Sequence, residues 1–236
     1  MIDKKIHYCW FGGKKIPKEV KKCIKSWKEK CPEYEIIRWD EKNFDINCNE
    51  FVKDAYKAKA WAFVSDYARL KIIYDNGGIY LDTDVELLKN LDFLLESDFF
   101  IGTEQSKKLY TTGLGFGAIK QHYIVKKMME KYENLIFDFN KRNEIACPYL
   151  NASALKEIGF NTVDSVQEID NCFVYPPKYF DPLATGKSNN LLCNDTISIH
   201  HYNASWTSTT NKIKRKIFNL IGLEKISRLK GLIRHE

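Results

Sequence analysis

The run GGIYLDTDVEL, residues 77–87, limits the fold more than any other part of the chain. Before it, residues 60–74 carry apolar side chains at helical spacing. Asn76-Gly77-Gly78 stops that helix, because glycine takes the left-handed conformation that closes a helix without strain. Ile79-Tyr80-Leu81 then reads as a strand, and it runs into two acids one residue apart, Asp82 and Asp84. Carboxylates are costly to bury unless they are paired or bound to a metal. Two of them on one side of a strand end suit a hard divalent cation, Mg²⁺ or Mn²⁺, bridged to phosphates. An exposed strand end with two solvated acids gives the same short pattern. The apolar strand and the Gly-Gly turn in front set this one apart.

The same grammar recurs upstream. Residues 5–10, KIHYCW, read as a strand broken by Gly12-Gly13. Pro17 suits a first helical position, and Val20, Ile24 and Trp27 recur at helical spacing as far as Cys31-Pro32. Residues 34–39 read as a second strand. Strand, helix, strand at this spacing makes a βαβ unit and a parallel sheet. Residues 50–75 read as helical. Further strands are expected at 98–102, 113–119 and 196–202, and helices at 123–132 and 150–158. Residues 160–193 suggest loops and short strands. There is no internal repeat and no low-complexity linker, so residues 1–211 form one α/β domain.

Residues 212–236 differ. They hold eight Lys/Arg against two acids, which accounts for the whole formal net charge of +6. Ile213, Ile217, Leu220 and Ile221 fall on one helical face. After Gly222 so do Leu223, Ile226, Leu229 and Ile233, with basic residues opposite. A basic amphipathic helix suits an anionic membrane surface; a helix pair packed on the body gives the same pattern. The neutral body argues against nucleic-acid binding, which depends on many phosphate contacts. No apolar stretch approaches the ~20 residues that span a bilayer. MIDKKIHYCWF lacks a signal-peptide apolar region, so a cytoplasmic location is expected, peripheral at the inner face of the membrane if the tail binds there. The seven cysteines include no C-x-x-C and read mostly as small buried hydrophobes of a reducing compartment. Three N-x-[ST] matches, at Asn151, Asn194 and Asn203, read as chance. Nothing in the chain speaks to oligomeric state.

Other residues suggest chemistry. Asp66 and Arg69 in SDYARL lie at i and i+3, on one helical face. They make either a surface ion pair or an acid and base that hold sugar hydroxyls and phosphate oxygens. Trp10, at a strand end before a glycine turn, is a core residue or a face for a nucleotide base. In HHYNASW, His200 or His201 can complete a metal shell, and Ser205 and Trp206 offer an O–H and an indole N–H to a diphosphate. Protease, esterase and NTPase patterns are absent.

IHYCWFGG, SDYARL, NGGIYLDTDVE and IHHYNASW, in this order, resemble the family 32 glycosyltransferases, which include capsular polysaccharide transferases and yeast-type initiating mannosyltransferases. The catalytic domains of the large glucosylating toxins are similar at greater distance. The resemblance spans residues 6–206 and is strongest over 61–88. It implies a GT-A fold: a Rossmann-like single domain with a central mixed, mostly parallel sheet, here followed by the C-terminal amphipathic helices. It implies a retaining hexosyl transfer from a nucleotide sugar, with Mn²⁺ (or Mg²⁺). By that likeness Trp10 stacks on the base, Asp66 and Arg69 hold the donor sugar, and Tyr80 and Asp82 contact the nucleotide, Asp82 through ribose or metal. Asp84 binds the metal directly. His201 is favoured over His200 as the late ligand, from its spacing to Trp206, and Ser205 and Trp206 bind the β-phosphate. A UDP-sugar donor is expected, with a saccharide acceptor, lipid-linked, in surface polysaccharide synthesis. The absence of a Golgi-type anchor and of the toxins' long insertions disfavours a Golgi role and protein glucosylation. The rivals are a nucleotidyltransferase, which lacks a Gly-rich phosphate loop here, and a non-enzymatic membrane-associated binder of nucleotide sugars.

Overall fold

The computed structural model describes residues 1–105, 109–142, 144–161, 164–183 and 189–202. The expected βαβ unit forms: β1 (Lys5–Cys9), α1 (Lys18–Lys30) and β2 (Glu35–Trp39), with β1 and β2 parallel. The helical stretch after it splits into α2 (Glu50–Lys57) and α3 (Trp61–Asn76). The break falls at Lys59, whose φ of 55° cannot continue a right-handed helix. Asn49 caps α2, its side chain accepting from the amides of Phe51 and Val52.

α3 ends as expected. Gly77 and Gly78 both have positive φ, and a Cβ on Gly78 would stand 2.9 Å from His7 Nε2. The chain then enters β3 (Gly78–Tyr80), which lies parallel to β1. Here the structure departs from the expectation of one strand ending in acids. β3 stops at Tyr80. Residues 81–84 turn, with the Val85 amide donating to Asp82 O at 3.0 Å. β4 (Val85–Leu87) then joins a separate two-stranded sheet with β9 (Ser198–His200), antiparallel.

The remaining elements are β5 (Phe99–Gly102), β6 (Phe116–Ala118), α4 (Tyr123–Glu130), α5 (Cys147–Ile158), β7 (Gln167–Ile169), β8 (Cys172–Tyr175) and the short α6 (Pro177–Phe180). The central sheet has the order β2-β1-β3-β6-β5-β8-β7. It is mixed, as expected, but evenly so. β1–β2, β1–β3 and β5–β8 are parallel, whereas β6 opposes both neighbours and β7 opposes β8. β7 and β8 form a hairpin whose loop, Asp170-Asn171, has φ of 48° and 59°, the backbone a tight two-residue turn needs.

Alternate residues of each strand feed two core layers. On one face Tyr80, Phe99, Ile101 and Phe116 pack with α2, α3, α4 and α5. On the other Ile79, Leu81 and Phe100 pack with Trp27 of α1 and Phe180 of α6. α3 is buried on most sides and carries Val64, Leu70, Ile72 and Ile73 into the first layer. His7 is wholly buried between them. Its Nδ1 accepts the Trp39 indole N–H at 3.0 Å, so its proton sits on Nε2, which donates to Gly77 O at 3.1 Å. Burial, only partly opposed by that bond, pushes its pKa down to about 4. Among the described residues no helix is long and apolar enough to cross a membrane. The basic tail, residues 212–236, lies outside the described residues.

Candidate active site

β1 and β3 run parallel and bring their carboxyl ends to one rim of the sheet, where open α/β folds hold their ligands. Trp10 follows β1, Asp82 follows β3, and α3 lies across them with Asp66 and Arg69 facing inward. The cleft enclosed there measures about 270 Å³.

Arg69 is its hub. Its side chain is only 5% exposed, so the reading of Asp66 and Arg69 as a solvated surface pair does not hold. Nη2 lies 3.2 Å from Asp66 Oδ1 and 3.0 Å from Asp82 Oδ1. Nη1 donates to Thr112 Oγ1 at 3.2 Å and Nε to Ser65 O at 3.1 Å. The Tyr80 ring stacks 4.9 Å from the guanidinium carbon, and its hydroxyl donates to Asp82 Oδ1 at 3.2 Å. Burial disfavours the Arg69 charge, but Asp82, Tyr80 and Asp66 outweigh it, and the group stays cationic. Removing one partner from such a buried pair typically costs about 3–5 kcal/mol, because the other charge is left uncompensated.

Burial raises the Asp66 pKa, and Arg69 opposes the rise. Cys147, which opens α5, lies beside Asp66 and favours its charged form.

Asp82 and Asp84 meet across the turn between the two sheets rather than along one strand. Pairing of β4 with β9 sets Val85 opposite His200, and His200 Nε2 then lies 3.0 Å from Asp84 Oδ1. Ligand atoms of Asp82, Asp84 and His200 all fall within 4.8 Å of one another. Two carboxylates and an imidazole make a donor set that fits a divalent cation such as Mn²⁺. Burial alone would lower the His200 pKa. The charge and hydrogen bond of Asp84, helped by Asp82 and Asp181, instead push it up to about 9. The structure sets His200, not the His201 favoured by spacing, beside the two aspartates: His201 Nε2 lies 2.8 Å from Glu86 Oε2. Ser205 and Trp206 lie outside the described residues.

Trp10 is half-buried and lines the same cleft. Its indole N–H donates to Lys14 O at 2.6 Å, and Phe11, Lys14 and Trp61 line the cleft beside it. The structure also adds residues with no local sequence signal. Cys147, grouped by sequence with inert buried thiols, lies 3.8 Å from both Arg69 Nη1 and Thr112 Oγ1. Gly113 O accepts the Asp82 amide at 3.0 Å, and a Cβ on Gly113 would stand 2.1 Å from Asp82 Oδ2. Tyr202 closes the cleft next to His200, their rings 4.1 Å apart.

The chain is similar to known glycosyltransferases. Residues 17–101 match the family model of the glycosyltransferase sugar-binding region containing DXD motif. The chain is 27% identical over 221 residues to an uncharacterized glycosyltransferase of Acanthamoeba polyphaga mimivirus, covering 87% of this chain and 84% of that one. It is 32% identical over 111 residues to the Subversion of eukaryotic traffic protein A of Legionella pneumophila, which is 36% of this chain and 17% of that protein. Among solved structures the PaToxG glycosyltransferase superposes with a TM-score of 0.51 at 19% identity, over 67% of this chain and 69% of that one. That likeness is one of fold, the GT-A arrangement of a mixed sheet between helical layers. The matched sugar-binding region contains Asp66, Arg69, Asp82 and Asp84, and the chain is a glycosyltransferase that carries this D-x-D region.

Proposed function

We propose that the enzyme moves a hexosyl group from a UDP-sugar to a saccharide acceptor, with retention of anomeric configuration and with Mn²⁺ or Mg²⁺ bound by Asp82, Asp84 and His200. One observation carries the reading: an aromatic wall at Trp10, the cationic Arg69 and the Asp82–Asp84–His200 group all face one cleft. These are the three recognitions that a base, a sugar and a diphosphate require.

When bound, the cation supplies Lewis-acid neutralisation of the departing diphosphate. The chain's own residues do the rest. Trp10 offers its face to the base, and a uracil suits that single platform. Asp66 and Arg69 border the space for the donor sugar, within reach of its hydroxyls. Arg69 also adds fixed positive charge where the leaving group develops its negative charge. The bond from the anomeric carbon to the diphosphate oxygen breaks, and one forms to the acceptor hydroxyl. The acceptor's proton passes to the departing diphosphate. Asp66 and Asp82 share the Arg69 guanidinium, which weakens both as nucleophiles and supports transfer on one face. Ser205 and Trp206 are proposed to bind the β-phosphate, on sequence alone. The acceptor is proposed to be a lipid-linked saccharide of a surface polysaccharide such as a capsule, used at the cytoplasmic face of the membrane. That part rests on the basic residues of 212–236.

The test is to incubate the protein with Mn²⁺ and each of a panel of UDP- and GDP-sugars, and to measure nucleoside diphosphate release. Release from a UDP-sugar, stopped by a chelator and lost in Asp84→Ala, is the expected result. Release from a GDP-sugar alone would overturn the base assignment. Release that survives the chelator would overturn the metal assignment.

A further inference from the structure

Beyond the residues that line the cleft, the loop carrying Trp10 is anchored from behind. Three bonds hold it. The Trp10 amide donates to Trp39 O at 2.8 Å, extending the β1–β2 pairing by one residue. The Trp10 indole N–H closes the loop onto Lys14 O. The third comes from outside the cleft: the Gly12 N–H donates to Glu41 Oε1 at 2.5 Å.

Glu41 is itself held. The Tyr56 hydroxyl, at the end of α2, donates to the same Oε1 at 3.3 Å. The Tyr56 ring meets Trp61, at the start of α3, edge to face at 5.1 Å. Trp61 in turn fills the space over Gly12. A Cβ there would stand 2.6 Å from the indole Cε2, and the φ of Gly12 is +87°, so only glycine fits the turn. Gly12, Glu41, Tyr56 and Trp61 thus form a closed circuit that ties the loop to the α2–α3 junction. Nothing else about Glu41 calls for this geometry: it is half-buried on the segment after β2 and does not line the cleft.

We propose that Glu41 is a positioning residue for the nucleotide: it fixes the 10–14 loop so that the Trp10 face is presented before the donor arrives. This rests on the reading of Trp10 as the base platform. Without the Glu41 carboxylate the Gly12 amide loses its acceptor and the loop must be ordered at the moment of binding. Affinity for the nucleotide then falls while the chemistry at Asp82, Asp84 and Arg69 is unchanged. A hydrogen bond to a charged group, worth about 1.5–3 kcal/mol, converts to a loss of roughly tenfold or more.

The experiment is calorimetric titration of UDP, and separately GDP, with Mn²⁺ present, into wild type, Glu41→Ala and Glu41→Gln, with the Tm of each protein recorded. Expected is a Kd for the bound nucleotide roughly tenfold higher in Glu41→Ala. Glu41→Gln, whose amide oxygen can still accept from Gly12, falls closer to wild type. In donor turnover KM rises with Kd while kcat stays within about twofold. A folded Glu41→Ala that binds nucleotide like wild type overturns the inference and leaves the proposed function standing. So does a variant that loses kcat with KM unchanged. Wild type that binds neither nucleotide overturns both.

Discussion

Gly113→Ala separates the position of Asp82 from the stability of the fold. A Cβ at residue 113 would lie 2.1 Å from Asp82 Oδ2 and 2.9 Å from its Cγ, against an ordinary contact of 3.4 Å or more. The oxygen must retreat by ~1.3 Å. It is the far end of a side chain that is 28% exposed, so it can rotate toward solvent with the Arg69 pair stretched rather than lost. The φ of Gly113 is not among the positive values, so alanine meets no backbone strain there. Replacing glycine at a compatible position even tends to stabilise, by about 0.4–1 kcal/mol, by restricting the unfolded chain. The retreat, however, lengthens the 3.0 Å pair with Arg69 and the 3.2 Å bond from Tyr80. It also carries Asp82 away from Asp84 and His200. A misplacement of about 1 Å in a reacting geometry costs on the order of 10² in rate. The assay is Mn²⁺-dependent nucleoside diphosphate release, read alongside thermal unfolding. Expected is a rate down roughly 100-fold with Tm unchanged or slightly higher. Full turnover with a native Tm would refute the idea that the observed position of Asp82 matters.

Three other outcomes follow, two from the structure and one from the sequence of the tail. His200→Ala raises the Mn²⁺ concentration needed for half-maximal rate by ~10-fold or more, and by more than His201→Ala does; the reverse order would restore the ranking given by spacing. The buried His7 has its folded pKa lowered from 6.5 to about 4, so its contribution to stability is present above pH 6.5 and lost as pH falls toward 4. Urea unfolding at pH 7.5 and pH 5 should show wild type losing about 2 kcal/mol more than His7→Gln, and equal losses would contradict the buried neutral ring. Deleting residues 212–236 should release the protein from phosphatidylserine-containing vesicles at low salt while leaving donor turnover in solution intact; undiminished vesicle binding would place the membrane contact elsewhere.

What was legible in the sequence was what local spacing encodes. The i, i+3 relation of Asp66 and Arg69, the helix stop at Gly77-Gly78 and the apolar strand before Asp82 follow from backbone periods, and all take their expected places. The end of β3 did not, because Val85–Leu87 continues an apolar alternation that a single strand would also show. Only pairing with a segment more than a hundred residues later assigns it to another sheet. The even mixture of parallel and antiparallel strands was hidden for a similar reason: the direction of β6 depends on which neighbours it meets, not on its own residues. The two histidines show the limit most sharply. Successive side chains on a strand face opposite ways, so a shift of one residue exchanges inside for outside. Spacing to Trp206 cannot resolve that step. The register that sets Val85 against His200 can, and it turns His200 toward Asp84 and His201 toward Glu86. The motifs thus name the residues that meet at the cleft, while the choice between adjacent ones is made by a pairing that neither motif contains.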